Sequence, residues 1–268
     1  MKTTRPLLRV EELTKRFIAP RGTADANAVT ALDRVSLSIY PGETLALVGE
    51  SGSGKSTLGL CLACLERPSS GRIWFEGRDV ASLRERDLRA VRPQIQLIFQ
   101  DAAAAMNPRL NACEIITEPL LVRGVKDARR RLERTRELLS QVGMDAAHSR
   151  RGLAELSGGQ RQRLAIARAL AAEPKLLIFD ESFSALDCSL QAQMANLLME
   201  LQEAFDIAYL FISHDLAMAA HLADRIAVME RGRIVESGTV EAIVRGASHP
   251  CTRALLQALP TPEGLITA

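Results

Sequence analysis

A glycine-rich segment lies where a short apolar strand is predicted to give way to a helix. Residues Gly49 to Ser56 read Gly-Glu-Ser-Gly-Ser-Gly-Lys-Ser, which fits the pattern of a phosphate-binding loop. Glycines let the backbone turn so that successive amides, with the N-terminus of the following helix, point at phosphate oxygens. In such a loop Lys55 reaches the β- and γ-phosphates, and the Ser56 hydroxyl binds Mg²⁺. For the glycines alone, an ordinary turn is the alternative.

Two acidic residues follow a second apolar run, Leu176 to Phe179. Asp180 would end this strand at the sheet edge where ligands bind in parallel α/β folds, and its carboxylate suits Mg²⁺. Glu181 points differently from the strand end and is suited to polarise a water for attack on a γ-phosphate. Considered alone, the pair could also be a solvated turn or a helix N-terminus.

A third segment, Ser157 to Gln160, reads Ser-Gly-Gly-Gln and lies about twenty residues before Asp180. Glycines followed by a helix N-terminus offer backbone donors to phosphate. In isolation, a surface helix cap explains Ser-Gly-Gly equally well.

The elements that would position these residues alternate between strands and helices. Buried-strand patterns occur at Leu45 to Val48, Leu176 to Phe179 and Ala208 to Ile212, and an antiparallel edge is predicted at Leu7 to Val10 and Leu32 to Ile39. Such alternation predicts an α/β fold with a mainly parallel sheet covered on both faces. From about residue 107 to 170 the spacing is helical with dense charge. The Arg-rich run from Asp127 to Glu137 is interpreted as a solvated helix face with local ion pairs, rather than as a docking patch.

Composition narrows the function classes. The 268 residues carry 34 Lys and Arg against 32 Asp and Glu, a net charge of +2 that gives nucleic-acid binding no support. The apolar run from Leu58 to Leu65 is far shorter than the roughly 20 residues that span a bilayer, and no export signal follows Met1, so we expect a cytoplasmic protein. The five cysteines fit reduced thiols; Cys61 and Cys64 are interpreted as buried small hydrophobes rather than metal ligands.

In this order, the three motifs resemble those of the ATP-binding-cassette (ABC) ATPases, and the resemblance extends from about Leu8 to Leu259. It implies a P-loop NTPase core with an antiparallel β edge and an inserted α-helical subdomain. The implied boundaries are residues 1–106 and 171–246 for the core, 107–170 for the helical subdomain and 247–268 for a short C-terminal tail.

The same resemblance assigns roles that spacing alone does not give. Gln100 matches the glutamine that senses the γ-phosphate and Mg²⁺, and His214 matches the switch histidine; with Glu181 they form the expected catalytic set. Asp187 ends the loop that passes between two cassettes. Phe17 stands where the family places an aromatic that stacks on adenine, although a core residue at a strand end explains it equally well. The expected ATP contacts are Phe17, Gly49, Ser51, Gly52, Ser53, Gly54, Lys55, Ser56 and Thr57, with Ser157, Gly158, Gly159, Gln160 and Asp187 completing the site of a second subunit; Ser56, Gln100 and Asp180 are the expected Mg²⁺ ligands.

Within the family, several segments look like the importer ATPases for oligopeptides, dipeptides or nickel. These include Ile98-Phe-Gln-Asp followed by Met106-Asn-Pro-Arg, and His249-Pro-Cys-Thr-Arg-Ala-Leu-Leu. This group implies two transmembrane permease subunits, a second ABC ATPase in a heterodimer and an extracytoplasmic solute-binding protein, with this chain peripheral at the cytoplasmic face of the membrane. The alternative is a soluble ABC ATPase acting on ribosomes or nucleic acid. A cassette that no longer hydrolyses ATP conflicts with Lys55, Glu181 and His214.

Two positions depart from that group. Ser182 and Ala102 stand where proline is usual, and each is expected to loosen its loop by restoring backbone freedom. Neither change removes a reacting group, so we still expect activity. Cys251 lacks the neighbouring cysteines of an iron-sulfur centre, so none is expected.

Overall fold

The structure is a computed structural model that describes residues 5–17, 29–184 and 186–257. The chain folds as two units. We name them the terminal unit, formed by the described residues up to Arg92 and from Ala208 onward, and the central unit, Pro93–Ile207.

The elements follow in chain order. The first part of the terminal unit contains β1 (Leu8–Phe17), β2 (Val29–Ile39), β3 (Thr44–Val48), α1 (Lys55–Leu62), β4 (Ser70–Phe75), β5 (Arg78–Asp79) and α2 (Glu85–Leu88). The central unit contains β6 (Ile95–Ile98), α3 (Ala112–Val122), α4 (Ala128–Gln141), α5 (Gly158–Ala171), β7 (Leu176–Asp180) and α6 (Cys188–Phe205). The terminal unit is completed by β8 (Ala208–Ser213), α7 (Leu216–Leu222), β9 (Arg225–Glu230), β10 (Arg233–Thr239), α8 (Val240–Gly246) and α9 (Pro250–Gln257).

An antiparallel sheet in the terminal unit has the order β2-β1-β4-β5. Strand β1 lies between its neighbours, with Leu8 opposite Ile39 on β2 and opposite Phe75 on β4. All three side chains are buried, because alternate residues of each strand face the core. The antiparallel edge predicted from the sequence is therefore confirmed.

Parallel pairing organises the strands that carry the predicted motifs. In the terminal unit, β3 pairs in parallel with both β8 and β9, and β10 is antiparallel to β9. In the central unit, β6 and β7 are parallel. All five residues of β3 and all six of β8 are buried, as expected for parallel strands covered on both faces. The predicted α/β fold with mainly parallel strands is confirmed.

The helices of the central unit begin at side-chain caps. Asn111 and Glu114 form a reciprocal capping box at the start of α3, and Asp127 accepts backbone N–H bonds at the start of α4. On α4, Arg129 pairs with Glu133 at 3.1 Å and Arg134 with Glu137 at 2.9 Å. These pairs confirm the solvated helix face predicted for the Arg-rich run.

The two cysteines after the phosphate loop are thiols in an apolar setting. Cys61 is buried and Cys64 is half-buried, and burial raises the pKa of Cys61 to about 12 and that of Cys64 to about 11. Both thiols are therefore protonated at neutral pH. The interpretation as a buried small hydrophobe is confirmed for Cys61, whereas Cys64 is only half-buried. Within the described ranges, no helix combines the length and apolar character needed to cross a bilayer.

The region expected to be a tail contains helix α9, and Glu236 of β10 fixes its start. The Glu236 carboxylate accepts bonds from the Ser248 backbone N–H (2.8 Å), the Ser248 hydroxyl (2.9 Å) and the His249 backbone N–H (3.1 Å). Burial alone would raise the pKa of Glu236, but these donors stabilise the charged form and lower the pKa to about 2. Residues 258–268 of the expected tail lie outside the described residues.

We expect Glu236→Gln to destabilise the fold in a pH-dependent way. Because the folded-state pKa of about 2 is below the ordinary 4.5, the carboxylate contributes stability above about pH 4.5 and loses it as pH falls toward 2. The difference in Tm between parent and variant, measured by circular dichroism, should therefore be largest above about pH 4.5 and should disappear near pH 2.

Glu241→Gln provides the matched control. Glu241 pairs with Arg245 one turn along α8 at 2.6 Å, and such exposed pairs contribute only about 0–1 kcal/mol. A Glu236→Gln effect that does not vary with pH would contradict the role of the charge.

Candidate nucleotide site

The phosphate loop needs glycine where the backbone passes close to neighbouring strands. A Cβ on Gly49 would lie 2.1 Å from the Met229 carbonyl oxygen, and one on Gly54 would lie 2.4 Å from that of Ala31. Gly54 also has φ of +108°, a conformation that L side chains rarely adopt. It precedes α1 as the N-cap and has no side chain to cap the helix. The N-cap therefore supplies no side-chain acceptor to the first turn of α1, which follows directly from the loop.

Lys55 is the first residue of α1 and is only 4% exposed. Its ammonium donates to the carbonyl oxygens of Gly49 and Glu50, both at 2.8 Å, and lies 3.5 Å from the Ser53 hydroxyl. The loop thus folds around its own lysine. Because a buried charge is costly unless it is hydrogen-bonded, these carbonyls hold the ammonium inside the loop.

Strand register places His214 beside the phosphate loop. On the parallel pair β3 and β8, Val48 is opposite Ser213, so Gly49 and His214 are the next residues at adjacent strand ends. His214 is exposed, and the turn that holds it is fixed by Asp215, which accepts the N–H of Ala217 at 2.8 Å to start α7. The terminal unit therefore brings the predicted histidine to the carboxyl edge where the loop begins.

Phe17 ends β1, and its side chain is 41% exposed. The Lys15 ammonium lies 4.7 Å from the centre of the Phe17 ring. The same ammonium donates to the Glu66 carboxylate at 2.6 Å and to the Arg67 carbonyl at 2.8 Å. Sequence reasoning missed Lys15; its spacing of two residues from Phe17 on a strand, which places both on one face, was the available signal.

In the central unit, the register of two parallel strands likewise places Gln100 beside the acidic pair. Strands β6 and β7 are parallel with Ile98 opposite Phe179, so Gln100 follows one strand end and Asp180 and Glu181 occupy the other. Glu181 has φ of +47°, a left-handed conformation that costs a non-glycine residue roughly 1–2 kcal/mol. The surrounding structure must therefore enforce this conformation.

Ser182 fixes the segment after β7. Its hydroxyl, buried with the rest of the residue, donates to the Ile98 carbonyl oxygen at 2.8 Å. The sequence predicted a looser loop where the family usually has proline. The side chain instead bonds the residues after Asp180 to the end of β6, a contact that proline cannot make.

Two further predicted residues begin helices. Ser157 and Gln160 form a capping box at the start of α5: Ser157 Oγ accepts the Gln160 N–H at 3.3 Å, and Gln160 Oε1 accepts the Ser157 N–H at 3.0 Å. Gly158 and Gly159 form the first turn. Asp187 caps α6 by accepting the Leu190 N–H at 2.9 Å. The helix cap that was the alternative interpretation of Ser157 is therefore present, and the helix begins with exposed residues. Ala185, which precedes Asp187 by two positions, lies outside the described residues.

The predicted site residues are divided between the units. The terminal unit holds Phe17, the loop residues Gly49 to Thr57 and His214; the central unit holds Gln100, Ser157 to Gln160, Asp180, Glu181 and Asp187. Ser56, Gln100 and Asp180 all offer oxygen donors, the ligand type that Mg²⁺ prefers.

The fold and these motifs define an ABC-type ATPase. The ABC transporter family model matches residues 32–184, more than half of the chain, and the chain belongs to this family. The match includes the phosphate loop, the Ser157 segment and the acidic pair.

Two curated relatives cover 96% of the chain. The probable peptide ABC transporter ATP-binding protein y4tS of Sinorhizobium fredii is 49% identical over 259 residues, which are 73% of that protein. The glutathione import ATP-binding protein GsiA of Escherichia coli K12 is 46% identical over 260 residues, and the chain spans 42% of its length.

Solved structures show the same cassette. A dimeric post-hydrolysis state of the ATP-binding cassette MJ0796 bound to ADP and Pi superposes with a TM-score of 0.78 at 28% identity, covering 87% of this chain and 98% of that one. CbiO1 from Clostridium perfringens, part of the ABC transporter complex cbiONQ, gives a TM-score of 0.77 at 27% identity, covering 95% of this chain and 96% of that one.

We expect Gly49→Ala to lower ATP affinity at least tenfold, because the added Cβ, 2.1 Å from the Met229 carbonyl oxygen, must displace the loop or β9. Calorimetric titration of the purified chain with MgATP measures the change. Gly124→Ala is the control: Gly124 also has a positive φ of +83°, but among the described residues an added Cβ there meets no atom within 4 Å. Equal losses in both variants would contradict the close-approach argument.

Proposed function

We propose that this chain is the ATP-hydrolysing subunit that powers import of a peptide-like solute through a membrane complex. The ATP-hydrolysing role is supported by the register of the parallel strands at their carboxyl ends. His214 emerges next to the phosphate loop in one unit, and Gln100 emerges next to Asp180 and Glu181 in the other. In parallel α/β sheets, this carboxyl edge is where ligands bind.

Each group has a defined chemical role in this proposal. The backbone amides of the loop and of α1 bind the phosphates, and Lys55 exchanges its carbonyl partners for phosphate oxygens. Glu181 accepts a proton from the attacking water, and His214 donates a hydrogen bond to the γ-phosphate. Bound Mg²⁺ would neutralise charge on the β- and γ-phosphates; Ser56, Asp180 and Gln100 would hold it.

We further propose that the active form is a pair of cassettes. Ser157 and Gly158 are exposed at the start of α5, so this end of the helix is accessible to a nucleotide on another subunit. The dimeric state of MJ0796 supports this proposal. The partner would be a second, different ABC ATPase, as in the importer group that the sequence resembles.

The transport role rests on the relatives. The name of y4tS gives a peptide transporter and that of GsiA a glutathione importer, and both support a peptide-like cargo; nickel is the other cargo of the resembled group. The chain would then sit at the cytoplasmic face of the membrane, bound to two permease subunits that receive solute from an extracytoplasmic binding protein. A cassette that acts on ribosomes or nucleic acid is the alternative outcome.

We expect Glu181→Gln in the assembled complex to retain ATP binding while turnover falls by about 10²- to 10⁴-fold, the usual contribution of a general base. Phosphate release and ATP affinity are measured on the same preparation. Glu200→Gln, an exposed carboxylate on α6 of the same unit, should leave turnover unchanged. Normal turnover of Glu181→Gln would remove Glu181 as the base.

The transport assignment is tested by a mild-detergent pull-down of the tagged chain from its native cells, with partners identified by mass spectrometry. We expect two multi-spanning membrane proteins and a second cassette chain. Ribosomal or DNA-repair proteins without a membrane partner would overturn the transport role and leave the ATPase chemistry standing.

A further inference from the structure

The Lys15 ammonium is an enclosed cation with a defined set of partners. Its side chain is only 12% exposed, and it donates to Glu66 Oε1 at 2.6 Å and to the Arg67 carbonyl oxygen at 2.8 Å. The bond from Lys15 lowers the pKa of the Glu66 carboxyl, because it stabilises the charged carboxylate. The ammonium is therefore held in one place and is shielded from most of the solvent.

This fixed charge lies over the Phe17 ring. The ammonium is 4.7 Å from the ring centre, within the distance at which a cation is attracted to an aromatic face. Phe17 is the last residue of β1 and remains 41% exposed, so packing alone restrains it weakly. Among the described residues, the Lys15 ammonium is a polar group in contact with the ring, and the exposed part of the ring stays accessible to a stacking partner.

The partners of Lys15 connect the ring to the phosphate loop. Glu66 and Arg67 follow the helix that Lys55 begins, and the backbone N–H groups of Leu65 and Glu66 donate to the Leu60 carbonyl oxygen at 2.9 and 3.1 Å. Lys15 thus bonds the end of β1 to the segment that closes α1. The ring and the loop belong to the same unit, as a ligand with an aromatic base and a polyphosphate requires.

We propose that Lys15 is a positioning residue for the nucleobase: it holds the Phe17 ring, through its ammonium, in the orientation that stacks on adenine. This inference rests on the proposed function and on the adenine-stacking role that the family resemblance implies for Phe17. Lys15 itself does not contact the phosphates; it acts on affinity through the ring.

The test compares ATP with inorganic triphosphate as titrants of the purified full chain with Mg²⁺. Lys15→Met keeps an unbranched apolar side chain and removes the charge. We expect it to weaken ATP binding about 2- to 30-fold, the range of a cation–π contact, and to leave triphosphate binding unchanged. Lys15→Arg retains a cation that can lie over the ring and should restore ATP affinity to within about threefold of the parent.

Arg16→Met is the matched control, because it removes the charge of the neighbouring exposed residue of β1 and should change neither affinity. Phe17→Ala tests the underlying assignment. If Phe17→Ala weakens the binding of ATP but not of triphosphate, and Lys15→Met adds no further loss in that background, Lys15 acts through the ring.

The contrary results separate the two ideas. Unchanged ATP affinity in Phe17→Ala would overturn the adenine role of Phe17 and the inference with it. A loss in Phe17→Ala without one in Lys15→Met would overturn the role of Lys15 alone. Equal losses of ATP and triphosphate binding in Lys15→Met, with a lower Tm, would show that the ion pair with Glu66 serves only the fold.

Discussion

The phosphate loop depends on a steric constraint: the backbone leaves a fully buried strand and must pass within touching distance of the strand beside it. The Met229 carbonyl oxygen occupies the position that a side chain on Gly49 would need. That carbonyl lies there because β9 pairs with β3 in parallel, so the packing of the sheet and the shape of the loop are one arrangement. The same parallel pairing, on the other side of β3, delivers His214 to the loop. A single sheet edge therefore holds both the phosphate loop and His214 in this unit.

The N-cap residues of three helices differ in whether they can accept a backbone N–H bond. The beginnings of α5 and α6 are capped by Ser157 and Asp187, whereas α1 starts at Gly54, which has no side chain with which to cap it. A side chain accepts a first-turn N–H at the starts of α5 and α6, whereas the N-cap of α1 offers no side-chain acceptor. The three helix starts that carry predicted site residues therefore differ in their caps.

The sequence predicted the parts of the molecule that local pattern controls. The apolar runs before Gly49 and Asp180 gave the strands, and the Arg-rich run gave a solvated helix with the ion pairs of α4. It did not predict helix α9, whose start is held by Glu236, a residue twelve positions earlier on another element. Nor did it predict that the Ser182 hydroxyl reaches the Ile98 carbonyl, across a separation of 84 residues. Both contacts are long-range bonds between a side chain and the backbone, which leave no periodic signal in the chain.

The enclosed position of Lys55 affects what the phenotype of a substitution at this residue means. Its ammonium already satisfies two backbone carbonyls and is almost wholly buried, so the residue is part of the loop's own architecture. Replacing it would leave those carbonyls without their donor, in addition to removing the phosphate ligand that the proposed function assigns to Lys55. A null phenotype from the customary lysine substitution would consequently mix two defects, lost chemistry and a damaged scaffold, in proportions that a complementation assay cannot separate.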